Sequence, residues 1–256
     1  MSGSIFSEVY KNINLNNNIK TNNSFYNDVG ISVICSTNKK NMMQNILNNF
    51  ITQNYPNKEL IIILNYDNPS MKTWQKNIDL WPNIKIFNLN NSHSLGKCLN
   101  YAVSNSKYPI IAKFDDDDYY APEYLSNMIK VFSFTDAYLI GKSCIYIYFV
   151  EEEILSVSNR SKENKYVNRV NGSTLMFKKT IFDSVKFRDK NLGEDISFCN
   201  DCTKNGFKIY STDRFDYVYI RRSKNNHTWK MDNYYILNKS QFLCKTKDFK
   251  TTILWR

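Results

Sequence analysis

Four consecutive carboxylates, Asp115-Asp116-Asp117-Asp118, lie between an apolar stretch at 108–114 (YPIIAKF) and the aromatic pair Tyr119-Tyr120. A row of acids on a polar turn is a common solvated charge block. This one follows a buried-strand pattern, and at a strand's carboxyl end an open α/β sheet binds its ligands. Carboxylates a few ångströms apart repel by about 1 kcal/mol per pair in water and by more near a protein surface. A divalent cation relieves that repulsion, and hard oxygen donors suit Mg²⁺ or Mn²⁺. A calcium loop is excluded, because the alternating acids, the central glycine and the closing Glu are missing. The expectation is a metal site; a bare charged turn is the plainer reading.

A second acidic pair, Glu194-Asp195, follows Gly193 and opens a helical pattern over 194–205 that stops at Gly206. Carboxylates in a first helical turn meet the partial positive charge of the N-terminus, so a simple end-of-helix preference also explains the pair. Cys199 and Cys202 in the same stretch form a CxxC spacing, but zinc needs two more ligands at a matching spacing and none is near. Packing along the helix is expected for them. Arg221-Arg222 offers guanidinium forks that suit diphosphate oxygens. Trp229 offers an aromatic face to a sugar, or simply packs. His227 is one of two histidines; the other, His93, has no assigned role.

The elements that must hold these residues alternate. Strand patterns at 30–36 (GISVICS), 59–64 (ELIIIL), 84–87 and 108–114 are separated by helical spacing over 42–53 and by a helix capped at Ser94 that carries Leu95, Cys98, Leu99, Ala102 and Val103. Pro122 is expected to open a further helix with Tyr124, Leu125, Met128, Ile129 and Phe132 inward. Such alternation predicts a mostly parallel sheet covered by helices. Beyond residue 137, strand-like pieces at 137–140, 144–150, 155–157, 174–177, 208–211 and 217–221 with little helix between them predict a smaller mixed or antiparallel sheet. The expected division is a polar arm at 1–29, one domain at 30–240 whose halves are 30–136 and 137–240, and a tail at 241–256.

The chain has 256 residues, 42% apolar and 15% aromatic, which excludes a disordered or collagen-like chain. Thirty-four Lys and Arg against twenty-four Asp and Glu leave a net charge of +10. The excess favours acidic partners such as nucleotides, phosphate-rich polymers, nucleic acid or an anionic membrane surface; AT-rich coding, which enriches Lys, Asn and Ile, is the plainer source. No apolar run reaches the roughly 18–20 residues of a membrane helix. With no secretory start visible, six scattered cysteines predict reduced thiols and a cytoplasmic setting, with room for peripheral membrane contact.

Taken in order, ISVICSTN, QNYPNKELIII, FDDDDYYAPEYL and NLGEDISF resemble family 2 glycosyltransferases of the GT-A fold over residues 30–225. The resemblance implies an α/β, Rossmann-like sheet with a smaller acceptor-side sheet. It also implies transfer of a sugar from a nucleotide-sugar donor to an acceptor hydroxyl on a glycan, protein or polymer. By likeness, Asp115 faces the ribose and, with Asp117, holds Mn²⁺ or Mg²⁺ against the donor diphosphate; Asp116 and Asp118 support them. The four identical residues leave the register open by one. Asp195 is then the general base and Glu194 orients the acceptor or the base, and a base opposite the leaving group implies inversion. Ser36, Thr37, Asn38, Asn65 and Asp67 fall where the family cradles the base. Here the usual second-strand Asp pair is replaced by Leu64-Asn65, which leaves the base open with uridine first. Lys97 falls where a basic residue lies near the diphosphate, and His227 where a histidine completes the metal shell.

Two other classes fit parts of the pattern. A nucleotidyltransferase would also use an acidic metal site, but 35–39 (CSTNK) lacks a glycine-rich phosphate loop. A non-catalytic sugar- or nucleic-acid-binding module would use the positive charge, although no nucleic-acid recognition motif is present.

Overall fold

Alternate side chains of the first four strands bury toward opposite layers, and that fixes the architecture. The computed structural model of the chain describes residues 29–222 and 230–253. In order, β1 (Ile31–Thr37), α1 (Met43–Ile51), β2 (Lys58–Leu64), α2 (Met71–Ile78), β3 (Ile84–Asn88), α3 (Leu95–Ser104) and β4 (Ile110–Lys113) alternate, and all but α2 match elements the sequence predicts. Ile31, Val33, Leu60, Ile62 and Ala112 pack against α1 and α2, whereas Ile34, Ile61, Ile63 and Ile111 pack against Cys98, Leu99, Ala102 and Val103 of α3. Strands buried on both faces carry continuous apolar runs because each face meets a helix.

The short strand β5 (Tyr119–Tyr120) and α4 (Tyr124–Lys130) follow, then β6 (Leu139–Gly141), β7 (Ile145–Phe149), β8 (Ile154–Ser158), β9 (Lys165–Val167) and β10 (Met176–Lys178). The chain continues through α5 (Glu194–Lys204), β11 (Ile209–Ser211), β12 (Tyr217–Arg221), α6 (Asn233–Lys239), β13 (Gln241–Lys245) and α7 (Phe249–Ile253). The large sheet has eight strands in the order β3-β2-β1-β4-β10-β6-β11-β9, with β10 and β9 antiparallel to their neighbours. A five-stranded sheet, β13-β8-β7-β12-β5, is mixed, since β7 and β12 run parallel and the other pairs antiparallel.

Several details differ from the sequence reading. The strands of the two sheets interleave across residue 136: β5 joins the small sheet, and β6, β9, β10 and β11 extend the large one. Helix α2 was not expected, because only Trp74 and Ile78 mark its buried side; Ser70 caps it by accepting from the Thr73 N–H. Helix α4 begins at Tyr124, two residues after Pro122, since a turn from Ala121 to Tyr124 comes first. The segment at 241–256, set apart as a tail, supplies β13 by pairing with β8, a contact no local pattern encodes. Cys199 and Cys202 are fully buried in the apolar layer, as packing along α5 predicts. Among the described residues, no helix is long and apolar enough to cross a membrane.

Candidate functional site

β1, β2 and β4 run parallel, so their carboxyl ends open on one edge, and a cavity of about 1030 Å³ lies there. Ser36, Asn38, Asn65, Asp115, Asp116, Asp117, Glu194 and Asp195 all line it. The acidic run and the Glu-Asp pair, about eighty residues apart in sequence, thus face the same space.

The acidic turn is held by its backbone. On α1, Asn45 Nδ2 donates to the carbonyls of Asp116 (2.8 Å) and Asp118 (3.0 Å), and Asn49 Nδ2 donates to Asp118 O (2.9 Å). Gln53, two residues beyond the helix, donates to Ala121 O at 2.9 Å and accepts from the Leu125 N–H at 3.0 Å. Asn45 and Asn49, four residues apart, share one side of α1, and Gln53 continues that spacing just past its end. Their four-residue spacing is the sequence signal for this clasp, on a side of the helix offset from its apolar stripe. Beneath the turn, the Tyr120 ring stacks on Phe114 at 3.8 Å, and its hydroxyl accepts from the Asp115 N–H and donates to Ser173 O.

The four carboxylates have separate surroundings. Asp118 is 1% exposed and accepts from Tyr217 Oη (2.5 Å) and the Ile220 N–H (3.0 Å), tying the turn to β12. Burial, reinforced by Asp117, pushes its carboxyl well up. Asp116 is 7% exposed and accepts from Thr37 Oγ1 at 2.6 Å. Burial and then Asp117 push it up to about 6, against the pull of Lys39. The Lys39 ammonium bridges Asp116 Oδ1 at 3.0 Å and Asp117 Oδ2 at 2.6 Å. Burial opposes that charge, but Asp116 and Asp117 outweigh it and hold the lysine above its usual value. Asp115, half-buried, pairs with the buried Lys113 at the end of β4.

α5 begins at Gly193, whose φ of +74° is a left-handed conformation natural to glycine. Glu194 is 6% exposed, and burial pushes it up to about 7, with Lys113 pulling down and Asp195 and Asp115 adding to the rise. Asp195 is half-buried on the cavity wall and packs on Gly172, where a Cβ would come within 2.7 Å of its Cγ. Lys39 and Gly172 reach the carboxylates only through the fold, whereas Lys113 lies two positions before Asp115 at the end of the β4 pattern and was the available local signal.

Other expected residues are placed differently. Thr37 turns onto Asp116 instead of the open cavity, so only Ser36 and Asn38 of that triplet present side chains there. Asn65 donates to Asn90 O, and Asp67, accepting from Asn91 at 2.6 Å, lines an adjoining pocket of about 410 Å³ that shares Asn38, Asn65 and Asn191 with the main cavity. Lys97 is off the cavity: its position on α3 sends it to Asp189, 2.9 Å away on the surface. Arg221 does not line the cavity. It is 0% exposed and donates to Asn233 Oδ1, Tyr219 Oη and Met231 O. Arg222 donates Nη1 to Asp117 O at 3.0 Å, against the back of the turn. His227 and Trp229 lie outside the described residues.

Among the described residues, no three His, Cys, Asp or Glu side chains converge in a ready metal-binding arrangement. The donor chemistry nonetheless fits a hard divalent cation. Asp115 and Asp117 bring carboxylate oxygens to the cavity wall, and the Asp116–Asp117 pair already takes up a positive charge, that of Lys39.

The sequence profile described as glycosyl transferase family 2 matches residues 32–190. The O-antigen biosynthesis glycosyltransferase WbnJ of Escherichia coli is 32% identical over 161 residues, covering 59% of this chain and 62% of that protein. The chain therefore spans less than two thirds of the curated relative it matches. Among solved structures, residues 1–349 of S. aureus TarS in complex with UDP-GlcNAc superpose with a TM-score of 0.60 at 19% identity, covering 75% of this chain and 59% of that one. The mannosyltransferase PcManGT of Pyrobaculum calidifontis, in complex with GDP-Man and Mn²⁺, superposes with a TM-score of 0.57 at 15% identity, covering 76% and 57%. These likenesses establish the GT-A fold. Joined to the profile match across both the sheet edge and the acidic turn, they place the chain in glycosyl transferase family 2.

Proposed function

We propose that the chain transfers a sugar from a nucleotide-sugar donor, a UDP-sugar, to an acceptor hydroxyl with inversion, using Mn²⁺ or Mg²⁺. The observation that carries this reading is that Asp115–Asp117 and Glu194–Asp195 line one cavity at the carboxyl edge of the parallel strands. Family membership favours this reading over the nucleotidyltransferase and nucleic-acid alternatives.

Asp117, with Asp115, would hold the cation, which when bound neutralises charge on the departing nucleoside diphosphate. Ser36, Asn38 and Asn65 would contact the nucleoside at the ends of β1 and β2, with Asp67 in the adjoining pocket. Asp195 would take the proton from the accepting hydroxyl, because its carboxylate is the less buried of the pair and is aimed by Gly172. Glu194 would steady it together with Lys113. One observation favours exchanging these roles: Glu194 is pushed up to about 7, where a base works well at neutral pH.

Calorimetry with UDP and GDP, with Mn²⁺ or with chelator, tests the donor side: UDP is expected to bind best, and only with metal. Equal affinity in chelator would overturn the metal dependence. Turnover of Asp195→Asn is expected to fall by about 10²–10⁴-fold with UDP binding retained. A fall in Glu194→Gln alone would transfer the role of base.

A further inference from the structure

We propose that the acceptor is a phosphate-bearing saccharide, and that Lys162, Lys165 and Arg169 bind its phosphate. The inference rests on the glycosyltransferase reading and names the acceptor's chemistry.

The two walls of the cavity handle charge differently. On the donor wall the cations are matched, Lys39 by Asp116 and Asp117 and Lys113 by Asp115. A further part of the lining comes from the segment 159–172, which follows β8, includes β9 and ends at Gly172. It places three exposed cations, Lys162, Lys165 and Arg169, on the cavity. None of the three has an ion-pair partner among the described residues.

The segment has one carboxylate, and it is turned away. Glu163 accepts from the Arg214 N–H at 2.8 Å and pairs with Arg214 Nη2 at 3.4 Å, and it does not line the cavity. The wall therefore keeps its full positive charge. Cations set on the wall of a cleft raise the local concentration of anions, and that potential is strongest where water is partly excluded. Arginine's planar fork and the two ammonium groups suit phosphate oxygens, whereas a neutral glycan would leave all three charges unused.

The wall also leads to the reacting position. Gly172, three residues after Arg169, packs on Asp195. An acceptor whose phosphate is held at Lys165 and Arg169 would present a neighbouring hydroxyl toward that carboxylate. Ser161 and Asn168, on the same wall, would meet its hydroxyls.

The test uses the full chain saturated with UDP and Mn²⁺, so that the donor side is filled. A hexose phosphate panel and the matching neutral methyl glycosides are titrated by calorimetry, with inorganic phosphate alongside. At least one hexose phosphate is expected to bind tenfold or more tightly than its methyl glycoside and than inorganic phosphate, with the preference shrinking at high salt. Lys165→Glu and Arg169→Glu are expected to abolish the preference while UDP affinity and melting temperature hold. Equal binding of phosphorylated and neutral sugars would overturn the inference, as would a preference that survives in the double variant or binding of inorganic phosphate alone. Failure of UDP itself to bind would instead remove the glycosyltransferase reading, and this inference with it.

Discussion

Replacing Lys39 with methionine is expected to strengthen Mn²⁺ binding by the nucleotide-free protein. The ammonium lies 3.0 Å from Asp116 Oδ1 and 2.6 Å from Asp117 Oδ2, with side-chain exposures of 25% for the lysine and 9% and 12% for the acids. A cation held by Asp117 and Asp115 must displace the ammonium from Asp117 and so undo the bridge to Asp116. Exposed ion pairs contribute about 0.2–1 kcal/mol, whereas removing one partner of a buried pair costs about 3–5 kcal/mol. A quarter-exposed ammonium with two contacts falls between, at about 1–2 kcal/mol of competition. At about 1.4 kcal/mol per tenfold, affinity should rise about five- to thirty-fold. The assay is loss of the free Mn²⁺ electron paramagnetic resonance signal on titration, with Lys39→Arg as the variant that keeps the competing charge. Without metal, Lys39→Met should also melt lower, because Asp116 and Asp117 then repel each other unscreened. Unchanged or weaker Mn²⁺ affinity in a folded Lys39→Met protein would refute the reasoning.

Gly172→Ala is expected to displace the Asp195 carboxylate, lowering kcat at least tenfold while UDP affinity measured by calorimetry stays within twofold. Asp118→Ala leaves the buried Ile220 N–H without its acceptor, while the Tyr217 hydroxyl keeps Ser173 Oγ at 2.6 Å, so urea unfolding should show a loss of about 1–3 kcal/mol. Glu194, faced by Lys113 from β4, Asp115 from the acidic turn and Asp195 from its own helix, is pushed from 4.5 up to about 7 on folding. The folded chain thus binds the extra proton between those values, and this carboxyl's effect on stability becomes less favourable as pH rises through that window, by at most about 3.5 kcal/mol. Melting curves from pH 5 to 8 should show a shallower decline in Glu194→Gln; an unchanged slope would remove Glu194 as its source.

What could be read in the sequence was what local pattern encodes. The apolar runs of β1 and β2, the Ser94 cap of α3 and the acidic first turn of α5 all depend on residues within a turn of each other. Errors arose where a distant partner decides. Arg221 looked like a phosphate fork but donates to Asn233 and Met231. Lys97 sat near the right strand, yet its place on α3 sends it to Asp189. Strand β13 exists because β8 offers an edge, and α2 shows only two buried side chains in eight residues. The two acidic groups were legible as chemistry, but the Lys39 bridge was not, since it meets Asp116 across 77 positions of chain.

The amide clasp of Asn45, Asn49 and Gln53 has a separate consequence. It grips main-chain oxygens and is therefore blind to which side chains the loop displays. Neutral replacements at positions 115, 116 and 117 should leave the path of the loop intact, so that their effects report charge rather than shape. Damage to the clasp itself would do the reverse, scattering every acid at once without altering a single formal charge.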